Sequence, residues 1–83
     1  MPNESTPTEY RTSDLIVATV LAYHEFKLIR VERISQNKAV FVFEENENQR
    51  QKILTQLVNN ELLLNPQKYE NVKKKLKTYL LNF

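Results

Sequence analysis

Cationic side chains are the residues of this sequence whose chemistry most readily suggests binding. Residues 65–83 hold five lysines and one glutamate, and four of the lysines fall in the run KKKLK at residues 73–77. Lysine and arginine side chains that contact the phosphates of a nucleic acid displace the counterions bound there, so the affinity of such a site depends on the salt concentration. On a helical wheel, however, the lysines flank an apolar seam, which favours a solvated helix face. The candidate anion-binding residues are Arg11, Arg30, Arg33, Lys73, Lys74, Lys75 and Lys77.

Two phenylalanines one residue apart, Phe41 and Phe43, could stack nucleic-acid bases if they were exposed on a sheet beside arginines. Interior packing is the more ordinary role, because helices that cover a sheet need alternating apolar side chains beneath them. The segment around them, KAVFVFE at residues 38–44, also lacks the glycines of the aromatic RNA-binding signature. We therefore predict that both rings are buried.

The sequence has no pattern that indicates catalysis or metal binding. It contains one histidine, no cysteine and no glycine. It therefore lacks a thiolate nucleophile, the ligand spacing of known metal sites and the glycine-rich loop that cradles phosphates. His24 directly follows an apolar stretch and is expected to cap the end of a helix. We expect a protein without enzymatic activity, and without a metal or other cofactor.

Length and composition indicate one small domain. Eighty-three residues with 41 % hydrophobic and 27 % charged side chains suit a single apolar core. No apolar run reaches the roughly 18 residues that a membrane span needs, so we expect a cytoplasmic protein that does not enter membranes. Residues 1–11 are polar, carry two prolines and show no periodicity. This pattern predicts a flexible N-terminal arm, followed by a single α+β domain over residues 12–83.

Three helices are predicted in that domain. The first begins near Ser13 in a Thr-Ser-Asp cluster and is apolar around nearly its whole circumference, so it is either central or bound to a partner. The second follows Asn46, the first residue of a capping box. The last begins at Asn65, has Pro66 in its first turn and runs to about Leu81.

Two β-rich runs between the first and second helices predict a hairpin closed by Gln36 and Asn37, because Asn tolerates the positive φ of a two-residue turn. Closing the turn there pairs Glu32 with Phe41. Arg30 and Glu32 are then expected on the face that carries the phenylalanines.

The segment at residues 61–64 could be either a connector or a third short strand. The expected order of elements is therefore α-β-β-α-(β)-α. This order predicts a two-layer α+β fold in which an antiparallel hairpin packs against helices.

Three short segments carry a family resemblance: YRTSDL at residues 10–15, KLIRVER at residues 27–33 and FVF at residues 41–43. Together they resemble a family of small bacterial and phage domains that is classed only as a domain of unknown function. The resemblance covers Tyr10 to Tyr69 and implies no activity. Members of that family usually end the first helix with a glycine where this chain has Glu25, and often have another near Asn37. Without these glycines, the link after the first helix is expected to be longer or strained.

Apolar surface in excess of what two helices and a hairpin can cover favours an interaction protein. The expected partner surface consists of large apolar residues on the first and last helices: Val17, Tyr69, Tyr79 and Phe83. We expect a non-catalytic module that binds a protein partner, including a second copy in a homodimer. The alternative is a nucleic-acid-binding accessory protein that uses the lysine-rich last helix. A total charge of +2 counts against this alternative, because dedicated nucleic-acid binders are usually more basic.

Overall fold

The computed structural model describes residues 9–81, which form an antiparallel sheet with helices packed on one face. The elements in chain order are β1 (Glu9–Thr12), α1 (Leu15–Tyr23), β2 (Leu28–Ser35), β3 (Lys38–Glu44), α2 (Glu47–Val58) and α3 (Pro66–Leu81). The sheet order is β1-β3-β2, so β3 is the central strand. The predicted α+β class, with its antiparallel hairpin, is confirmed. Residues 61–65 have no regular structure, so this segment is a connector and not a strand.

The first strand corrects the predicted N-terminal arm. Residues 9–11, which we expected to be flexible, belong to β1, where Tyr10 pairs with Phe43 and Thr12 pairs with Phe41. The open edge of β3 supplies backbone hydrogen-bond partners for this segment, and the half-buried Tyr10 ring packs against the core. The remaining residues of the predicted arm, 1–8, lie outside the described part of the chain.

Helix α1 is central to the fold. Asp14 caps it, because its Oδ1 accepts hydrogen bonds from the backbone N–H groups of Ile16 at 2.8 Å and Val17 at 3.2 Å. The four consecutive residues 18–21 are completely buried, so the middle of the helix is covered on all sides. The buried Thr19 hydroxyl is satisfied by donating to the Leu15 carbonyl at 2.7 Å. Of the two possibilities that the sequence left open, the central helix is therefore correct.

The phenylalanines of β3 form the core. Phe41 is 2 % exposed and Phe43 is fully buried, and both pack in one cluster with Ala18, Leu21 and Leu76. The prediction that both rings are interior is confirmed. Burying a side chain of this size stabilises a fold by about 2–3 kcal/mol.

The hairpin closes where the sequence predicted, with Ser35 paired to Lys38, but its register then changes by one residue. Arg33 pairs with Ala39, so Ile34 is an extra residue in β2 and forms a β-bulge. Because side chains alternate along a strand, a shift of one residue turns every following side chain to the other face.

The predicted pairing of Glu32 with Phe41 is therefore wrong. Phe41 pairs with Val31, and the side chains of Arg30 and Glu32 lie on the helix-free face of the sheet. A second irregularity, between Leu28 and Arg30, returns Leu28 to the face that carries the phenylalanines. The two bulges thus decide which residues of β2 face the helices.

The positive φ that we expected at Asn37 is also wrong, because within residues 9–81 only Glu25 and Asn60 have positive φ. A two-residue turn without a left-handed residue splays the strands, whereas a bulge adds right-handed twist. We attribute the bulge at Ile34 to the need to restore the right-handed twist that such a turn does not supply. Arg33 also spans the turn, donating from Nη1 to the Gln36 carbonyl at 2.9 Å.

Helix α1 ends with the left-handed cap that normally uses glycine. Glu25 has a φ of 70°, and its N–H donates to the Ala22 carbonyl at 3.0 Å. The N–H of Phe26 donates to the Leu21 carbonyl, also at 3.0 Å, which completes a Schellman motif. The link to β2 is therefore short and strained, because a residue with a Cβ atom occupies a glycine position.

Candidate functional site

The helix-free face of the sheet carries a network of four charged side chains that crosses the central strand. Alternation along the strands places Glu9 and Arg11 of β1 on this face, together with Arg30 and Glu32 of β2. We call these four residues the sheet-face network. Arg30 forms a two-pronged ion pair with Glu9, with Nη1–Oε2 and Nη2–Oε1 distances of 2.9 and 3.0 Å. It also donates from Nε to Glu32 at 2.6 Å, and Arg11 pairs with Glu32 as well.

These contacts shift the acid–base behaviour of the network. The hydrogen bonds from Arg30 hold the pKa of the Glu9 carboxyl below its ordinary value. Hydrogen bonds from Arg30 and then Arg11 lower the pKa of Glu32 in the same way. Both carboxyls therefore stay ionised at neutral pH, and they balance the two guanidinium charges.

The sheet-face network has a structural role that explains its position. Val42 lies between Arg11 and Arg30 in the strand register and is fully buried, although it is not part of the core cluster around Phe41. We infer that the arginine side chains cover it, because long charged side chains commonly bury their apolar stems against a sheet. Arg11 and Arg30 are therefore already engaged by carboxylates of their own chain.

The other predicted anion-binding residues lie elsewhere, so the seven cations do not form one site. Arg33 contacts two carbonyl oxygens, those of Gln36 and Leu80, the latter at 3.5 Å. Lys73 on α3 pairs with Glu70 at 3.6 Å. The remaining predicted cations on α3, Lys74, Lys75 and Lys77, are exposed and form no ion pair within residues 9–81.

An apolar groove lies between β2 and α3. It has a volume of about 310 Å³, and we call it the β2–α3 groove. Its lining residues are Ala22, Phe26, Leu28, Val72, Lys75, Leu76 and Tyr79. Tyr79 is 41 % exposed, so a large aromatic side chain is open to solvent beside the groove. Two more exposed apolar residues, Ile29 and Ile34, stand on β2 itself.

Of the predicted partner surface, only Tyr79 lines the groove. Val17 is half-buried and packs against the core, and Tyr69 is half-buried, with the Lys73 ammonium 5.9 Å from its ring centroid. Phe83 lies outside the described residues. Sequence reasoning did not assign Phe26 and Leu28 to this surface, because the groove is lined by residues of elements that are distant in the chain.

Two larger cavities lie at the ends of the sheet. One, of about 510 Å³, lies beside the hairpin turn and is lined in part by Leu15, Arg33 and Leu80. The other, of about 410 Å³, is mostly polar and is lined in part by His24 and Glu44. His24 caps α1 as predicted, with Nδ1 donating to the Val20 carbonyl at 2.8 Å.

Residues 9–81 contain no group of three or more His, Cys, Asp or Glu side chains arranged to hold a metal ion. None of the helices in this part of the chain is both long enough and apolar enough to cross a membrane.

Comparison with known proteins gives one match. The family model of a domain of unknown function, DUF5659, matches residues 7–82. Neither the curated proteins nor the solved structures contain a match to the chain.

Proposed function

The chain belongs to the DUF5659 family, which is described only as a domain of unknown function, so we propose a function from the residues on the protein surface. The chain acts as a non-catalytic interaction module that binds protein, including a second copy of itself, on the side of the β2–α3 groove. A bacterial or phage origin, which the family resemblance implies, and a cytoplasmic location, which we expected from the sequence, are part of this proposal.

The exposure of Tyr79 at the groove is the observation that supports the proposal best. Tyrosine is among the residues that contribute most to protein interfaces, because its ring offers a large rigid apolar area with a polar tip. The groove lies beside β2, and within residues 9–81 that strand pairs only with β3. An apolar groove next to a free strand edge suits a protein segment better than it suits a small polar ligand.

Sedimentation equilibrium tests the proposal, with Tyr79→Ser as the informative variant. The concentration series should run from about 1 μM to about 1 mM, which covers dissociation free energies of about 8 to 4 kcal/mol. We expect the wild type to self-associate and Tyr79→Ser to weaken association about tenfold.

Leu81→Ser is the matched control, because Leu81 is 84 % exposed on the same helix but does not line the groove. It should associate like the wild type. A wild type that stays monomeric over the whole range would contradict the proposal, and so would equal weakening by both variants.

A second candidate function is nucleic-acid binding through α3. It is supported by the exposed Lys74, Lys75 and Lys77, since these ammonium groups form no ion pair with the described part of the chain and can neutralise phosphates. The arginines that the sequence offered as helpers contribute less, because Arg11 and Arg30 are already paired with carboxylates.

Fluorescence anisotropy with single-stranded RNA and DNA separates the two functions. We expect a Lys74→Glu/Lys77→Glu double variant to abolish any binding seen at low salt. A Lys27→Glu/Lys38→Glu double variant makes the same charge change on the β-hairpin and should retain that binding. Equal losses in the two variants, or binding that ignores ionic strength, would contradict a site on α3.

A further inference from the structure

We infer that two copies of the chain pair through their β2 strands, antiparallel and centred on Val31, so that their sheets join into one. This inference rests on the proposed function and specifies both its partner and its geometry.

The free edge of β2 is the first support. Within the described residues, β2 pairs with β3 on one side only, so its other side presents backbone N–H and C=O groups to solvent. Such an edge is a template for another strand. The bulges near Ile29 and Ile34 confine the regular part of the edge to residues 30–33. The pairing is therefore short, and we expect a weak dimer that forms and dissociates readily.

The order of charges along this edge selects the register. Arg30 and Glu32 stand symmetrically on either side of Val31. In an antiparallel pair centred on Val31, Arg30 of each copy lies opposite Glu32 of the other, and both lie on the helix-free face. A pair centred on Arg30 or on Glu32 would instead place like charges opposite each other. The opposite charges thus favour one register over its neighbours.

Apolar contacts agree with the same register. A centre at Val31 brings the bulge residue Ile34 of one copy near Leu28 of the other, beyond the regular part of the edge on each side. Leu28 lines the β2–α3 groove, and Ile34 is 55 % exposed in the single chain. Joining the strands therefore brings an exposed isoleucine from each copy to the edge of the partner copy's groove, near Tyr79. Burial of these side chains adds a hydrophobic contribution to the backbone pairing.

A single-cysteine cross-link tests the geometry directly, since the natural chain has no cysteine. In the inferred dimer the two Val31 residues are directly opposite, with Cα atoms about 4.5–5.5 Å apart, within the range that a disulfide spans. We expect Val31→Cys to form a covalent dimer under mild oxidation. The control is Ile16→Cys, which is 56 % exposed on α1 and should give at most a trace. Equal yields from the two variants would overturn the inference.

Charge reversal gives a second, independent test. Arg30→Glu and Glu32→Arg each place like charges across the two-fold axis, so each alone should self-associate about tenfold more weakly than the wild type. An equimolar mixture of the two variants restores both opposite-charge pairs. It should therefore form a heterodimer with nearly wild-type affinity. Pairs within one chain cannot cause this rescue, because mixing leaves them unchanged.

Ile34→Lys tests the strand pairing even if the charge-reversal variants do not fold. It changes an exposed residue and leaves the sheet-face network intact, and a lysine on a strand edge opposes pairing. We expect a folded monomer by circular dichroism and sedimentation. If the wild type associates and Tyr79→Ser weakens it, but neither cross-linking nor mixing behaves as expected, strand pairing is wrong and the proposed function stands. A wild type that never associates would contradict both the strand pairing and the proposed function.

Discussion

Arg30 on β2 pairs with Glu9 on β1 across the full width of the sheet, with both guanidinium prongs within 3.0 Å of carboxylate oxygens. The two residues lie 21 positions apart in the chain, and β3 runs between their strands. Planar, two-pronged pairs of this kind hold their geometry better than single ion pairs do. The contact therefore ties the N-terminal strand to the hairpin on the face that has no helices.

The first prediction concerns the pH dependence of stability. The pKa values of Glu9 and Glu32 are lowered from the ordinary 4.5 by their arginine partners. A carboxyl with a lowered pKa in the folded state contributes stability above its unfolded pKa, and that contribution is lost as the pH falls through the folded value. We expect the melting temperature to be flat near neutral pH and to fall below about pH 4.5.

In a Glu9→Gln/Glu32→Gln double variant, the melting temperature should fall less steeply as the pH is lowered. Glu47→Gln/Glu61→Gln, which removes two exposed carboxylates outside the network, is the matched control. Thermal melts monitored by circular dichroism from about pH 7 to pH 3 measure the slopes. An unchanged slope in the first variant would show that the network does not cause the acid sensitivity.

The second prediction concerns the left-handed cap of α1. Glu25 has a φ of 70°, a conformation that costs a residue with a Cβ atom about 1–2 kcal/mol. We expect Glu25→Gly to raise the free energy of unfolding by about 1 kcal/mol, after the greater flexibility of glycine in the unfolded chain is deducted. Urea unfolding followed by circular dichroism gives this value.

Asn60 provides the comparison for this cap. It has a φ of 58° at the end of α2, with the same two-bond pattern from Asn60 to Leu57 and from Glu61 to Gln56. Asn tolerates the left-handed region better than Glu does, so Asn60→Gly should change stability less than Glu25→Gly. A larger gain at Asn60 would contradict the explanation by backbone strain.

The elements of this fold could be predicted because their signals are local. The caps at Asp14, Asn46 and Asn65 each accept a backbone hydrogen bond, as the sequence pattern indicated. The alternation of Phe41 and Phe43 marked the buried side of β3 correctly.

The surface could not be predicted as well, because it depends on two bulges and on a strand pairing between distant residues. One extra residue at Ile34 reverses the faces of Arg30 and Glu32, and neither periodicity nor turn composition specifies such a bulge. The polar segment around Tyr10 also lacks a strand signal of its own. It becomes a strand because β3 offers an open edge, a tertiary effect that overrides local propensity.

The third prediction concerns the core. Phe43 is fully buried in the cluster with Leu21 and Leu76, so Phe43→Ala leaves a cavity that the packed neighbours cannot close. We expect a loss of about 3–5 kcal/mol in unfolding free energy, a large part of the total for a chain of this size. Tyr79→Ala removes a ring that is 41 % exposed and should cost less than half as much. Urea unfolding compares the two, and similar losses would contradict the assignment of Tyr79 to the surface.

The last prediction concerns Arg50, which joins β1 to α2. Its guanidinium donates from Nε and Nη2 to the two carboxylate oxygens of Glu45, both at 2.8 Å, and lies 4.3 Å from the centroid of the Tyr10 ring. Lysine cannot reproduce both the two-pronged pair and the contact of a guanidinium with the ring. Arg50→Lys should therefore loosen β1 and lower the stability by about 1 kcal/mol. Amide hydrogen exchange should speed up at the β1 amides that donate to β3 more than at the β3 amides that donate to β2. Lys52→Arg, an exposed change on the same helix, should leave exchange at both sets of amides unchanged. Uniform acceleration across the sheet would instead indicate global destabilisation and would contradict a local anchor.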